Sequence, residues 1–156
     1  MRIAVISGYF NPLHTGHLDY IKAASQRGDR LIVIVNNDEQ VKLKGSKAFM
    51  NENDRMRVVS AIKGVDEVIL SIDTDASVVQ TLSSIYNKYA VDYFFESMIF
   101  ANGGDRKKDN SPEEEYCSWR QIKTVYNVGG GKTQSSSSLL EANENAGYDP
   151  YRNYEF

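Results

Sequence analysis

The chain has 156 residues, of which 25% are charged and 41% hydrophobic, with a formal net charge of −3, one cysteine and two histidines. That is the length and balance of one soluble globular domain able to bury about two-thirds of the surface its unfolded chain exposes. It excludes a disulfide framework, a strongly basic nucleic-acid surface and any apolar run long enough to span a membrane.

Ile3 to Ile6 is a short apolar run of the kind that makes a central parallel strand. It breaks at Gly8, turns through Asn11-Pro12 and enters a helix at about His17 to Ala24, with Leu18, Ile21 and Ala24 as the apolar stripe. Gly28-Asp29 reads as the helix stop. Leu31 to Val35 is a second buried strand, so the first 35 residues read as a right-handed βαβ unit. Asn36-Asn37-Asp38 closes that strand and should face the same crevice as the histidines, because ligands of open α/β sheets sit at the carboxyl ends of strands. Val41 to Lys47 reads as a loop carrying three lysines, either phosphate-neutralising or simply solvated.

Asn51 to Ile62 is the next helix, with Asn51 as N-cap, Asp54 as a weak capping-box partner, and Val58, Val59 and Ile62 toward the core. Val65 to Leu70 is a third strand. A helix follows from about Asp73, capped by Thr74 or Ser77, with Val78, Val79, Leu82 and Ile85 as its apolar stripe. Val91 to Phe95 reads as the fourth strand and Glu96 to Ala101 as an added stretch before Gly103-Gly104-Asp105, which in isolation is a turn. Ser111-Pro112 followed by three glutamates is a helix start whose acids the dipole explains. Cys117 is expected to be a packed apolar residue and Trp119 core or edge packing. Lys123 to Val128 is the last strand. The Gly129 to Thr133 spelling lacks the spacing of a P-loop.

The segment that carries chemistry is Ser7 to His17, SGYFNPLHTGH. Strand, turn and helix N-terminus together make a phosphate site, since the first helical N–H groups lack internal partners and the dipole favours an anion. An imidazole donates a hydrogen bond to phosphate while neutral and adds charge when protonated. Two histidines three apart could instead ligate metal, but no third histidine or nearby cysteine completes a zinc set.

His14-Thr15-Gly16-His17 in this setting resembles the HxGH signature of the nucleotidyltransferase superfamily, which includes cytidylyltransferases and sugar-phosphate adenylyltransferases. The likeness continues through Asn-Asp, Leu-Lys-Gly, Arg55 and Val-Asp-Glu-Val, and ends in a serine cluster before Leu139-Leu140. It implies a single doubly wound, Rossmann-like α/β domain with a parallel sheet over residues 1–142, and a tyrosine-rich tail over 143–156. It implies that His14, His17 and Lys44 are catalytic. Gly8, Tyr9, Phe10, Asn11, Gly16, Gly104, Asp105, Ser135, Ser136 and Ser137 would bind the nucleotide, and Arg55, Asn37 and Asp38 the acceptor. Lys63 stands where the polyol-phosphate branch often carries an acceptor-binding arginine, a departure from that pattern.

The reaction implied is transfer of a nucleotidyl group from ATP or CTP to a phosphorylated sugar or polyol with release of pyrophosphate, Mg²⁺ bridging the phosphates and no protein metal site. Heptose-phosphate adenylyltransferases and glycerol-phosphate cytidylyltransferases are the branches most resembled. A homodimer and a cytoplasmic setting are expected, without nucleic-acid or membrane partners. The alternatives are a non-catalytic nucleotide-binding module of the same fold, and an interaction protein using the tyrosine-rich tail.

Overall fold

A computed structural model describes residues 1–104, 108 and 110–130. Five strands, β1 (Arg2–Gly8), β2 (Arg30–Val35), β3 (Glu67–Leu70), β4 (Ser97–Gly103) and β5 (Lys123–Val128), form one sheet in the order β3-β2-β1-β4-β5. Every pairing is parallel, with Ile3 opposite Arg30 and Met98, and Ile99 opposite Lys123. Among the described residues five helices connect the strands, α1 (Thr15–Ser25), α2 (Asp38–Leu43), α3 (Glu52–Ser60), α4 (Val79–Tyr89) and α5 (Pro112–Arg120), with α2 and α3 both between β2 and β3.

Period-two alternation divides the sheet's side chains between two cores. Ile3, Val5, Ile32 and Ile34 point to one face, where Leu82, Ile85 and Cys117 of α4 and α5 cover them. Ala4, Ile6, Leu31 and Val33 point to the other, under Ile21, Ala24 and Val59 of α1 and α3. Helices on both faces make the domain doubly wound, as its sequence implies. The strand order reverses between β1 and β4, so the crevice for a ligand opens at the carboxyl end of β1.

Several local expectations are corrected. α1 begins at Thr15, two residues before His17, because His14 occupies the extended N-cap position. Gly28 is not its C-cap. The chain passes so close to β1 there that an added Cβ would lie 2.8 Å from the Arg2 carbonyl oxygen. Residues 38–43 are helical rather than loop: Asn37 caps α2 by accepting from the Gln40 N–H, and Gln40 accepts in return from the Asn37 N–H at 3.1 Å. The N-cap position of α4 is Val78, not Thr74 or Ser77, although Ser77 Oγ accepts weakly from the Val79 N–H at 3.5 Å. The Asp73 carboxylate accepts from the N–H groups of Gln80 and Thr81 at 2.8 and 3.0 Å.

The fourth strand is the stretch read as an insertion. Val91, Tyr93 and Phe94 lie in a turn, 84%, 92% and 72% exposed. Val58 and Trp119, expected to pack inward, are exposed as well. The N-caps of α3 (Asn51) and α5 (Ser111) hold as read, with side chains accepting from Asp54 and Glu114. Two of the α5 glutamates do more than oppose the dipole. Glu113 is buried and accepts from the Val78 N–H, and Glu114 accepts from the Thr124 hydroxyl.

Candidate active site

The site grows from the connection between β1 and α1. At the start of α1 the His14 N–H donates to His17 Nδ1 at 3.1 Å, part of a reciprocal capping box between the two residues. A nitrogen that accepts from an N–H carries no proton, so this bond holds neutral His17 as the Nε2–H tautomer. The two half-buried imidazoles stack, with ring centroids 3.8 Å apart and planes inclined by 22°. Gly16 leaves room for that stack, since an added Cβ would stand 3.0 Å from the His14 ring. Beneath it the buried ring of Phe10 lies 4.9 Å from His17. Helix N-terminus, stacked imidazoles and Gly8-Tyr9 therefore converge at the carboxyl end of β1.

α2 brings a cation to this loop. Lys44, its exposed C-cap residue, places Nζ 4.5 Å above the centroid of the Tyr9 ring. Gly103 and Gly104 sit at the carboxyl end of β4. Tyr20, three residues beyond His17 and so on the same side of α1, secures this junction by donating its hydroxyl to the Ala101 carbonyl. That tyrosine was missed in the sequence; its i+3 spacing from His17 is the only signal that could have marked it. A separate groove of about 580 Å³ opens at the carboxyl end of β3, lined among others by Asn37, Lys42, Leu43, Leu70, Ile72 and Asp73.

The residues expected to grip the acceptor are placed differently. Arg55 is fully buried. Its Nε donates to the Met50 carbonyl at 3.0 Å and its Nη1 to the carbonyls of Tyr9 and Asn36 at 2.8 and 2.7 Å. Its Nη2 pairs with Asp38 at 2.7 Å. A guanidinium so enclosed touches no acceptor; it ties three loops together. Asn37 likewise spends its side chain on the Gln40 N–H and on the carbonyls of Ser71 and Asp73. Phe10 and Asn11, expected to touch nucleotide, are 1% and 4% exposed. Asn11 donates to the Lys47 carbonyl at 2.8 Å and accepts from the Phe49 N–H at 2.5 Å. Asp105, Ser135, Ser136 and Ser137 lie outside the described residues.

Cys117 is fully buried between acids, and burial first, then Glu114 and Glu113, pushes its thiol up to about 12. It is an inert packed residue. Among the described residues no group of three or more His, Cys, Asp or Glu converges on a metal-sized site.

A family profile described as cytidylyltransferase-like matches residues 5–145. The chain belongs to the cytidylyltransferase-like family. It is 36% identical over 139 residues to the bifunctional protein HldE of Vibrio cholerae, covering 84% of this chain and 28% of that one. To the HldE of Shewanella sediminis it is 37% identical over 114 residues, covering 68% and 24%. The chain thus spans about a quarter of the length of these curated relatives. A structure of a lipopolysaccharide core biosynthesis protein from Thermoplasma volcanium superposes with a TM-score of 0.62 at 26% identity, over 81% of this chain and 96% of that one. A putative nicotinate-nucleotide adenylyltransferase from Vibrio parahaemolyticus gives the same TM-score at 17% identity, over 95% and 83%, which is a likeness of fold. Family and fold are those of nucleotidyltransferases.

Proposed function

We propose that this domain transfers a nucleotidyl group from ATP or CTP to a phosphorylated sugar or polyol and releases pyrophosphate. The observation that carries the reading is the stacked His14–His17 pair at the N-terminus of α1, with Lys44 held over Tyr9 beside it. The acceptor phosphate oxygen attacks the α-phosphorus in line; one P–O bond forms, and the bond to the pyrophosphate leaving group breaks. No covalent enzyme intermediate is needed, so the protein's task is positioning and charge stabilisation. His17 Nε2–H and the first-turn N–H groups of α1 donate to phosphate oxygens, and Lys44 swings from the Tyr9 face to meet the charge that builds on the leaving group. By the family resemblance, Ser135, Ser136 and Ser137 would hold the distal phosphates, and Gly104 and Asp105 would serve the base.

Mg²⁺ carried in with the triphosphate would supply positive charge against its phosphate oxygens. The chain would act as a homodimer in the cytoplasm. The deciding experiment is pyrophosphate release with ATP and CTP tested separately, in Mg²⁺, against a panel of sugar and polyol phosphates. Release with one pair supports transfer and names both substrates. Triphosphate binding without release from any pair favours a binding module of the same fold.

A further inference from the structure

Residues 46–51 join α2 to α3 without regular structure, and among the described residues 47–50 make no backbone–backbone hydrogen bond. They are nonetheless fixed at three successive points. Asn11 Nδ2 donates to the Lys47 carbonyl, Asn11 Oδ1 accepts from the Phe49 N–H, and Arg55 Nε donates to the Met50 carbonyl. Both clasping side chains are buried, at 4% and 0% exposure. Both also belong to the histidine loop: Asn11 by sequence, and Arg55 through its bond to the Tyr9 carbonyl. The primary amide is specific to this task, because it alone offers one donor and one acceptor side by side; a carboxylate would only accept.

We propose that Asn11, seconded by Arg55, is a positioning residue that clasps the lysine-bearing segment 44–49 to the histidine loop, so that Lys44 and the two imidazoles meet one polyphosphate. It touches no substrate. The proposal rests on the nucleotidyl-transfer reading of the site. Its physical content is that Lys44 stands at the end of α2, so clasping residues 47–50 just beyond it fixes where that helix end meets the histidine loop and delivers the cation to the place where leaving-group charge develops. Tyr9 supports the same arrangement by giving the Lys44 ammonium a fixed aromatic face.

A double-mutant cycle with Lys44→Ala, read beside amide hydrogen exchange, tests it in the full chain. Asn11→Ala should raise exchange at the Phe49 amide and across 44–50, and should weaken ATP or CTP binding by about tenfold to a hundredfold. In the Lys44→Ala background the same change should cost less than about twofold, because the cation it positions is gone. Asn11→Ser, which keeps one polar atom, serves if Asn11→Ala does not fold. Unchanged exchange at 44–50 overturns the clasp. Raised exchange with equal loss of binding in both backgrounds overturns positioning and leaves a structural role, as does a Lys44→Ala protein that binds triphosphate normally. A wild-type chain that binds neither triphosphate overturns the transfer reading instead, and the exchange comparison still decides the clasp.

Discussion

The two ends of the sheet are built on different principles. Among the described residues the buried polar side chains, Asn11, Asn36, Gln40, Arg55, Ser71, Asp73, Ser77, Thr81, Asn102 and Glu113, all lie toward the carboxyl end, in loops, in first helical turns or, for Asn102, in the last residues of β4. At the amino end the charges instead pair on the surface: Arg2 with Asp29, Lys88 with Glu67, and the amino terminus with Glu96. Longer irregular connections at the carboxyl end bury backbone carbonyls and N–H groups that no strand or helix satisfies, so side chains must satisfy them. The connections at the amino end stay wet. The loops around the proposed site are therefore tied together by enclosed hydrogen bonds, which low dielectric strengthens and which are costly to break.

This contrast makes graded predictions. The largest effect falls on Arg55. Arg55→Met removes the charge beside Asp38 and strands four carbonyl or carboxylate acceptors, so urea unfolding should show a loss of about 3–5 kcal/mol. A loss below about 1 kcal/mol would mean that water replaces the guanidinium and that the carboxyl end is not closed as described. Next is His17→Ala, which should lower the rate of pyrophosphate release by roughly a hundredfold to a thousandfold while the fold survives. Its melting point should fall only by what the loss of a helix cap of about 1 kcal/mol produces. Near-normal turnover would remove the histidine pair from the mechanism.

A pH dependence sharpens the amino-end half. Burial alone would raise the Glu67 carboxyl, but the Tyr89 hydroxyl, Arg30 and Lys88 outweigh it and hold the group below the ordinary glutamate range. A depressed folded value means the unfolded chain takes up the proton first. The stabilisation is present above about pH 4.3 and is lost as pH falls through the folded value. Unfolding midpoints measured between neutral and acid pH should therefore drop on this limb, and the drop should shrink in Glu67→Gln. An unchanged acid limb in that variant would assign the loss to other carboxylates. Smaller again is Lys88→Met, expected to cost less than about 1 kcal/mol since its side chain is 64% exposed. Smallest is Tyr93→Ser in the solvated turn before β4, within about 0.5 kcal/mol by thermal melting.

The same division governs what could be read from the chain. Continuous apolar strands announced themselves: Leu31 to Val35, and the Ile3 to Ile6 core of β1, lie where their patterns put them. Cap chemistry was equally plain at Asn51 and Ser111. α2 was legible too, in the Asn37-x-x-Gln40 spacing of a capping box, although its six residues of mixed charge lack the apolar stripe of a long helix. The fourth strand was misplaced because Val91 to Phe95 is the more strand-like run. Asp92 folds it into a turn, its carboxylate accepting from the Phe94 N–H, while the more broken Ser97–Gly103 wins the pairing with β1. Strand propensity describes a side chain's fit to a packed surface, and the sequence does not say which run will meet one.

The placement of the histidine pair at the start of α1 was legible because it depends on residue type, spacing and a strand-turn-helix context, all local properties. The direction in which Arg55, Asn37 and Asn11 spend their hydrogen bonds was not. Their partners are carbonyls and N–H groups up to 46 residues away, and a polar side chain reads the same whether it faces a ligand or the protein's own backbone. Residue chemistry and periodicity by themselves determined the opening βαβ unit and the strand at each end of the described chain, while the doubly wound α/β class was legible through the family resemblance that the motifs carry. Only the tertiary structure decided which polar groups remain for a substrate, because that depends on which backbone groups folding leaves unsatisfied and which side chains stand close enough to satisfy them.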